Sequence, residues 1–128
     1  MVNNEFVNIN NIIASKKKYK YSVNKFLEKY KTMGIYGIYL QNKLIYIGQS
    51  NNIGKRWVTH KTHIIREPSK CRDYMGDNYP LYNFLRSYYQ AGIDISFSIL
   101  EIINDKSELN QKESEYIKKF NPICNVRY

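Results

Sequence analysis

Two hydrophobic periods alternate along the chain, and the switches between them mark its elements. Met33 to Leu40 and Leu44 to Gly48 are β-rich runs separated by the polar Gln41-Asn42-Lys43, the pattern of a β-hairpin. Ile93, Ile95, Phe97 and Ile99 alternate with Asp94, Ser96 and Ser98, which predicts a half-buried strand over 93–100. Elsewhere the spacing is helical. Asn51 or Asn52 offers a cap for a helix from Ile53 to about Glu67, with Ile53, Trp57, Val58, Ile64 and Ile65 as its apolar stripe and Arg56, His60 and His63 along the edge. Residues 68–79 read as a loop, after which Pro80 opens a helix through Leu81, Phe84, Leu85 and Tyr88 that Gly92 ends. Asp105 and Glu108 form a capping-box variant before a last helix running to about Phe120. Nearer the N-terminus, Ser22 caps a short helix carrying Val23, Phe26, Leu27 and Tyr30. No internal repeat is present.

A chain of 128 residues with 43% hydrophobic content supports a single core, so binding and catalysis must share it. We divide it into a basic N-terminal extension, residues 1–32, helical in part, and a main domain, residues 33–128. Twenty basic residues oppose eleven acidic ones, a net charge of +9 that seeks a polyanion such as nucleic acid or an anionic membrane. The charges are unevenly placed: seven lysines lie in residues 1–33 and seven Lys or Arg in residues 43–72, whereas Glu101, Asp105, Glu108, Glu113 and Glu115 crowd one stretch. This predicts a cationic face with a local carboxylate site. Lys16, Lys17, Lys18 and Lys20 interleave with Tyr19 and Tyr21, a composition suited to phosphate contact with base stacking and equally to a solvated basic tail. No apolar run reaches membrane-spanning length and no signal core is present, so a cytoplasmic protein without membrane contact is expected. Cys71 and Cys124 are too few for a disulfide scaffold and read as reduced thiols.

On the last helix, Leu109, Tyr116, Ile117 and Phe120 form the apolar stripe, and Glu113 falls inside it, four residues from both Leu109 and Ile117. Burying that carboxylate alone would cost several kcal/mol, so a cation, a hydrogen-bond network or a metal is expected beside it. Two readings stand from the helix alone: a functional carboxylate, or a structural one that either pairs with an arginine to join helix to sheet or bends out to water. Glu108 and Glu115 point away to solvent. In the hairpin, Gly34, Tyr36, Tyr39, Tyr46 and Gly48 gather in little space, and cross-strand packing accounts for tyrosines there as readily as chemistry does. Register decides their use. A three-residue loop at 40–42 would put Tyr36 and Tyr46 on one face, and a two-residue loop at 41–42 would separate them.

Gly34-Ile35-Tyr36, nine residues, then Tyr46-Ile47-Gly48, followed by Lys55-Arg56-Trp57 and His60, resembles the GIY-YIG nuclease family. The likeness continues through Tyr79-Pro80-Leu81-Tyr82, Phe97-Ser98-Ile99-Leu100-Glu101 and Glu113…Tyr116-Ile117…Asn121-Pro122…Asn125, covering about residues 33–126 in the family's order. A second Gly-Ile-Tyr at 37–39 leaves only six residues before Tyr46, too few for that hairpin, so the motif is assigned to 34–36. The resemblance implies an α+β fold with a small three-stranded antiparallel sheet flanked by helices, hydrolysing DNA phosphodiesters with one divalent metal, Mg²⁺ with Mn²⁺ as substitute. It implies Tyr36, Tyr46, Arg56, His60 and Glu113 as catalytic residues, Glu113 as the metal ligand, Gly48 as a close-approach glycine and Asn125 as the late asparagine. Two departures stand out: Tyr79 occupies a place where homing-type members carry histidine, so that proton delivery there is either supplied otherwise or taken over in part by His63, and Gln49 occupies the place of the repair branch's lysine.

The DNA-contacting set expected is Lys16, Lys17, Lys18, Lys20, Gly48, Lys55, Lys61, Arg66 and Asn125. A lone Glu113 holds Mg²⁺ only with water and substrate phosphate completing its shell. Arg56 suits a non-bridging phosphate oxygen. Tyr36 is expected as the base, with the metal and Arg56 lowering a phenol that starts near pKa 10, Tyr46 positioning it and His60, starting near 6.5, assisting. The expected function is nicking or cutting of duplex DNA at preferred sites by a monomer or transient dimer, in a phage or mobile-element, restriction or anti-phage setting. The alternatives are a non-catalytic nucleic-acid-binding module and a zinc site built from His60, His63, Cys71 and Cys124.

Overall fold

Gln41 and Asn42 both adopt left-handed backbone (φ 48° and 67°), and this two-residue turn folds strand β2 (Gly34–Leu40) back onto β3 (Lys43–Ser50). Such a turn matches the right-handed twist of the paired strands. A computed structural model describes residues 5–12, 24–65 and 79–125. Within them β1 (Val7–Asn8) and β4 (Ile95–Ile102) complete an antiparallel sheet of order β1-β4-β2-β3. The sheet therefore has four strands, not the three expected; a two-residue strand has no period to detect, and β1 exists because β4 offers it an edge. The strand expected over 93–100 begins and ends two residues later, since Asp94 is spent on the hairpin, its carbonyl accepting from the Gln41 N–H.

The hairpin has the short loop, yet its two motif tyrosines share a face. Ile38 pairs with Tyr46 but Tyr39 pairs with Leu44, so Ile45 is an extra residue that bulges out of the ladder. That single insertion inverts the pleat between the turn and the Tyr46-Ile47-Gly48 segment. Tyr36, Ile38, Ile45 and Tyr46 all pack into the larger apolar cluster, while Ile35 and Ile47 belong to the smaller one across the sheet.

Helices cover both faces. On the larger-cluster side lie α1 (Ile53–Ile65) and α2 (Tyr79–Gln90), packed on each other, together with a helical turn over 24–29. Asn52 caps α1, its side-chain oxygen accepting the Lys55 N–H, and Gly92 at φ 80° ends the α2 turn. Ile9, Ile12, Phe26 and Tyr30 lie in this same core, so residues before 33 help build it. On the other side α3 (Leu109–Phe120) packs on β3 and β2. It follows a 3-10 turn capped by Asp105, whose carboxylate accepts the Ser107 N–H, and the Glu108 side chain makes no reciprocal capping bond.

The stripes are rotated from their expected positions. On α1 the buried positions are Ile53, Trp57, His60, His63 and Ile64, while Ile65 is exposed. On α2 they are Leu81, Tyr82, Leu85 and Arg86, with Phe84 half-buried and Tyr88 exposed. In both cases polar residues face inward, which a count of apolar residues alone misses.

The C-terminal tail seals the open edge of β3. The Asn125 side chain accepts the Ile47 N–H at 2.7 Å and donates to the Ile47 carbonyl at 2.9 Å, and the Cys124 N–H donates to the carbonyl of the bulged Ile45. A side-chain amide thus imitates a further strand where the ladder would be unpaired. Among the described residues no helix is long and apolar enough to cross a membrane.

Candidate active site

Tyr36, in the middle of β2, is fully buried, and its hydroxyl lies over Gly48 on the neighbouring strand. A Cβ at position 48 would come within 2.5 Å of that oxygen and 2.6 Å of the ring carbon bearing it. Only glycine leaves room for the phenol, and Gly48 acts here by having no side chain. The hydroxyl meets His60 Nε2 at 2.6 Å, and His60 Nδ1 meets the Tyr82 hydroxyl at 3.0 Å. His60 thus bridges β2 to α2 from the middle of α1. Tyr46, half-buried, turns its ring edge toward His60 at 6.4 Å, and Phe97 stacks on the imidazole from the sheet.

Enclosure moves both titrations away from neutrality, opposite to the lowering expected for Tyr36 and unlike the unshifted value expected for His60. Burial, then the neighbouring Tyr46, raises the Tyr36 phenol far above its ordinary value, and Arg56 pulls it back only in part. Burial, with Arg56 and His63 adding to it, pushes His60 down to about 3. Tyr36 and His60 are therefore both neutral near pH 7. Arg56 is an exposed residue whose guanidinium bears on the Tyr36, Tyr82 and Tyr46 hydroxyls; burial opposes its charge, and those phenols more than compensate.

Glu113 projects from α3 toward β3 and is half-buried, neither solvated nor sealed in the core. Its Oε1 accepts from the Gln49 side-chain amide at 3.3 Å, and the same amide donates to Asn110 Oδ1 at 2.6 Å. Gln49 directly follows the glycine beneath Tyr36. Successive residues of the edge strand therefore serve the two halves of the site: Gly48 carries the phenol on one face, and Gln49 carries the carboxylate on the other. Glu113 makes no ion pair with Arg56. The neighbouring Glu101 is engaged separately, by the Tyr116 hydroxyl at 3.0 Å and by Lys112.

The remaining expected residues are distributed as follows. Lys55 is exposed on α1. Lys61 donates from Nζ to the Ile12 carbonyl at 2.6 Å, tying the N-terminal segment to α1. Both amide atoms of Asn125 are bound to Ile47. Lys16, Lys17, Lys18, Lys20, Arg66 and Cys71 lie outside the described residues. His63 is buried with its ring stacked on Tyr82 at 4.7 Å, one turn from the reacting end of His60. Among the described residues no three His, Cys, Asp or Glu side chains converge as a metal cluster. Sequence reasoning placed neither Gln49 nor Tyr82 in the site; Tyr82 sits directly after Leu81 on the inward stripe, a signal visible only once the rotation of α2 is known.

The arrangement can accept a proton at a buried phenol–imidazole pair, place a guanidinium beside it and offer one accessible carboxylate oxygen pair at the sheet edge. Residues 32–127 match the family model of the GIY-YIG catalytic domain, and the chain belongs to that family. It is an endonuclease of the GIY-YIG type. Bacteriophage T4 EndoII, solved as a point mutant, shares the fold: its structure superposes with a TM-score of 0.53 at 22% identity, covering 74% of each chain. No curated protein matches the chain by sequence.

Proposed function

We propose that this chain is a divalent-metal-dependent DNA endonuclease that nicks duplex DNA at preferred sites, one strand per visit. The observation that carries this reading is the edge strand itself, with the Tyr36–His60 pair and Arg56 on one side of Gly48-Gln49 and the Glu113 carboxylate on the other. A phosphodiester laid beside Gly48-Gln49 would meet Arg56 and Glu113, with the buried Tyr36–His60 pair directly beneath it.

Glu113 is a suitable ligand for Mg²⁺ or Mn²⁺. Its half-buried carboxylate has a neutral amide partner, and no salt bridge to it forms among the described residues. With one protein carboxylate the ion would keep several waters and take phosphate oxygen as a further ligand, so tight binding requires DNA. When bound it would supply Lewis-acid stabilisation of the phosphate and of the leaving oxygen. Arg56 contributes fixed positive charge against a non-bridging oxygen.

Tyr36 cannot serve as a standing phenolate, because its burial opposes ionisation. It acts instead as a carrier: its oxygen takes a proton from the attacking water as its own passes to His60 Nε2. The incoming phosphate charge favours this, since a nearby anion raises the basicity of the imidazole. Tyr46 flanks the imidazole and positions the pair. Duplex contact would come from the basic N-terminal lysines, Lys55 and Arg66, and a second copy or a second visit would be needed for a double-strand break. The lysine- and asparagine-rich composition fits a phage or mobile-element nuclease acting in the cytoplasm of a bacterial host.

Incubating supercoiled plasmid with the protein tests this reading. Open-circular product should form with Mg²⁺ or Mn²⁺ and stop on chelation, and Glu113→Ala should abolish it while DNA affinity persists. Intact plasmid with the parent protein would make the chain a binding module, and undiminished cutting by Glu113→Ala would refute the ligand assignment.

A further inference from the structure

The imidazole of His60 is closed in on every side by rings: Tyr36, Tyr46, Tyr82 and Phe97 all stand within 6.4 Å of its centroid. With no exposed surface, it has both nitrogens committed, Nε2 to Tyr36 and Nδ1 to Tyr82. A neutral imidazole has one N–H and one lone pair, so the two hydroxyls cannot play the same part. Whatever Tyr82 does at Nδ1 dictates what Tyr36 meets at Nε2.

The distances separate the two arrangements. The 2.6 Å contact between Tyr36 and Nε2 is short, the range of a hydroxyl donor, whereas 3.0 Å between Nδ1 and Tyr82 is the ordinary length of an N–H donor to oxygen. Arg56 is compatible with that arrangement. A guanidinium only donates, so it acts on the Tyr36 oxygen as an acceptor and leaves the Tyr36 proton for His60.

Building on the nuclease reading above, we propose that Tyr82 is a positioning residue for the cleavage reaction. Its hydroxyl accepts the His60 Nδ1–H and holds the imidazole in the tautomer whose Nε2 lone pair receives the Tyr36 proton. In the opposite tautomer Nε2–H would donate to Tyr36, and that phenol would have no acceptor for the proton it must release. The proton count is closed: one proton moves from water to the Tyr36 oxygen, the Tyr36 proton moves to Nε2, and the imidazolium so formed keeps both hydrogen bonds. His63 explains its own burial in the same scheme, since its ring stacks on Tyr82 with an interplanar angle of 13° and holds that phenol in place. The histidine considered as a substitute proton donor thus acts one step away, as a wall behind Tyr82.

Imidazole nitrogen NMR on ¹⁵N-labelled protein tests this, with His60→Gln assigning the signals. In the parent protein at neutral pH, His60 should show a protonated Nδ1 and a bare Nε2. Tyr82→Phe removes one oxygen and keeps the stacked ring; it should shift the population toward the Nε2–H form and slow plasmid nicking by about a hundredfold, the low end of what a positioned proton-transfer group supplies. Plasmid affinity should be unchanged. A parent protein with protonated Nε2 overturns the proposal without reference to any variant. So does a folded Tyr82→Phe that keeps both tautomer and rate. Because the spectrum needs no catalysis, a protein that leaves plasmid intact yet changes tautomer in Tyr82→Phe would refute the nuclease reading and uphold the Tyr82–His60 coupling.

Discussion

Acidification should destabilise this protein through one residue. His60 titrates at about 3 in the folded state, against about 6.5 for an unperturbed histidine. Between those values the unfolded chain binds a proton that the folded chain refuses, so the contribution is fully present above 6.5 and is lost as the pH falls toward 3. At pH 5 the unfolded side lies roughly 1.5 units below its own value, and at about 1.4 kcal/mol per unit the loss is about 2 kcal/mol. That figure depends on the unfolded value alone as long as the folded one lies well below 5. It is a large share of the roughly 5–15 kcal/mol that holds a domain of this size together. Urea unfolding at pH 7.5 and pH 5, followed through the fluorescence of the buried Trp57, measures it in the parent and in His60→Gln. The side chains that face the imidazole, Arg56, His63, Tyr36, Tyr46, Tyr82 and Phe97, are common to both proteins, so the comparison isolates the change at position 60. The parent should lose about 2 kcal/mol more than the variant. Equal losses would mean that the imidazole is solvated, and the buried bridge between β2 and α2 would have to be abandoned.

Other substitutions separate the two halves of the site. Gly48→Ala forces a methyl into the Tyr36 hydroxyl, a group that cannot retreat because its ring is buried. It should cost about 1–3 kcal/mol by overpacking and suppress nicking at the same time, and normal nicking with a normal urea midpoint would show that the phenol is free to move. Asn125→Ala strips the partners from Ile47 on the edge strand and should lower stability by about 1–3 kcal/mol. Asn125→Asp, which keeps an acceptor for the N–H and loses the donor, should fall between the two, and an unchanged midpoint in both would remove the tail from the account of the sheet edge.

Local sequence determined the hairpin and the three long helices among the described residues, because those depend on turn chemistry, caps and periods read within a few positions. Two adjacent residues able to take left-handed backbone, Gln41 and Asn42, are enough to fold β2 onto β3, and Asn52 and Gly92 mark helix ends by their own side chains or lack of them. The set Tyr36, Tyr46, Arg56, His60 and Glu113 came instead from the resemblance to the GIY-YIG family, which supplies an order of motifs that no local period contains. Only the tertiary structure decided which faces met. One bulged residue, Ile45, brought Tyr46 onto the face of Tyr36, and a bulge is a compromise between two strands that neither strand's pattern records. Strand β1 needed the edge of β4, and the inward turn of His60, Tyr82 and Arg86 needed the packing of α1 against α2. The contacts that carry the chemistry join residues 22, 24 and 64 positions apart, and at such separations only the closed core, by excluding water from the groups it pairs, selects the partner.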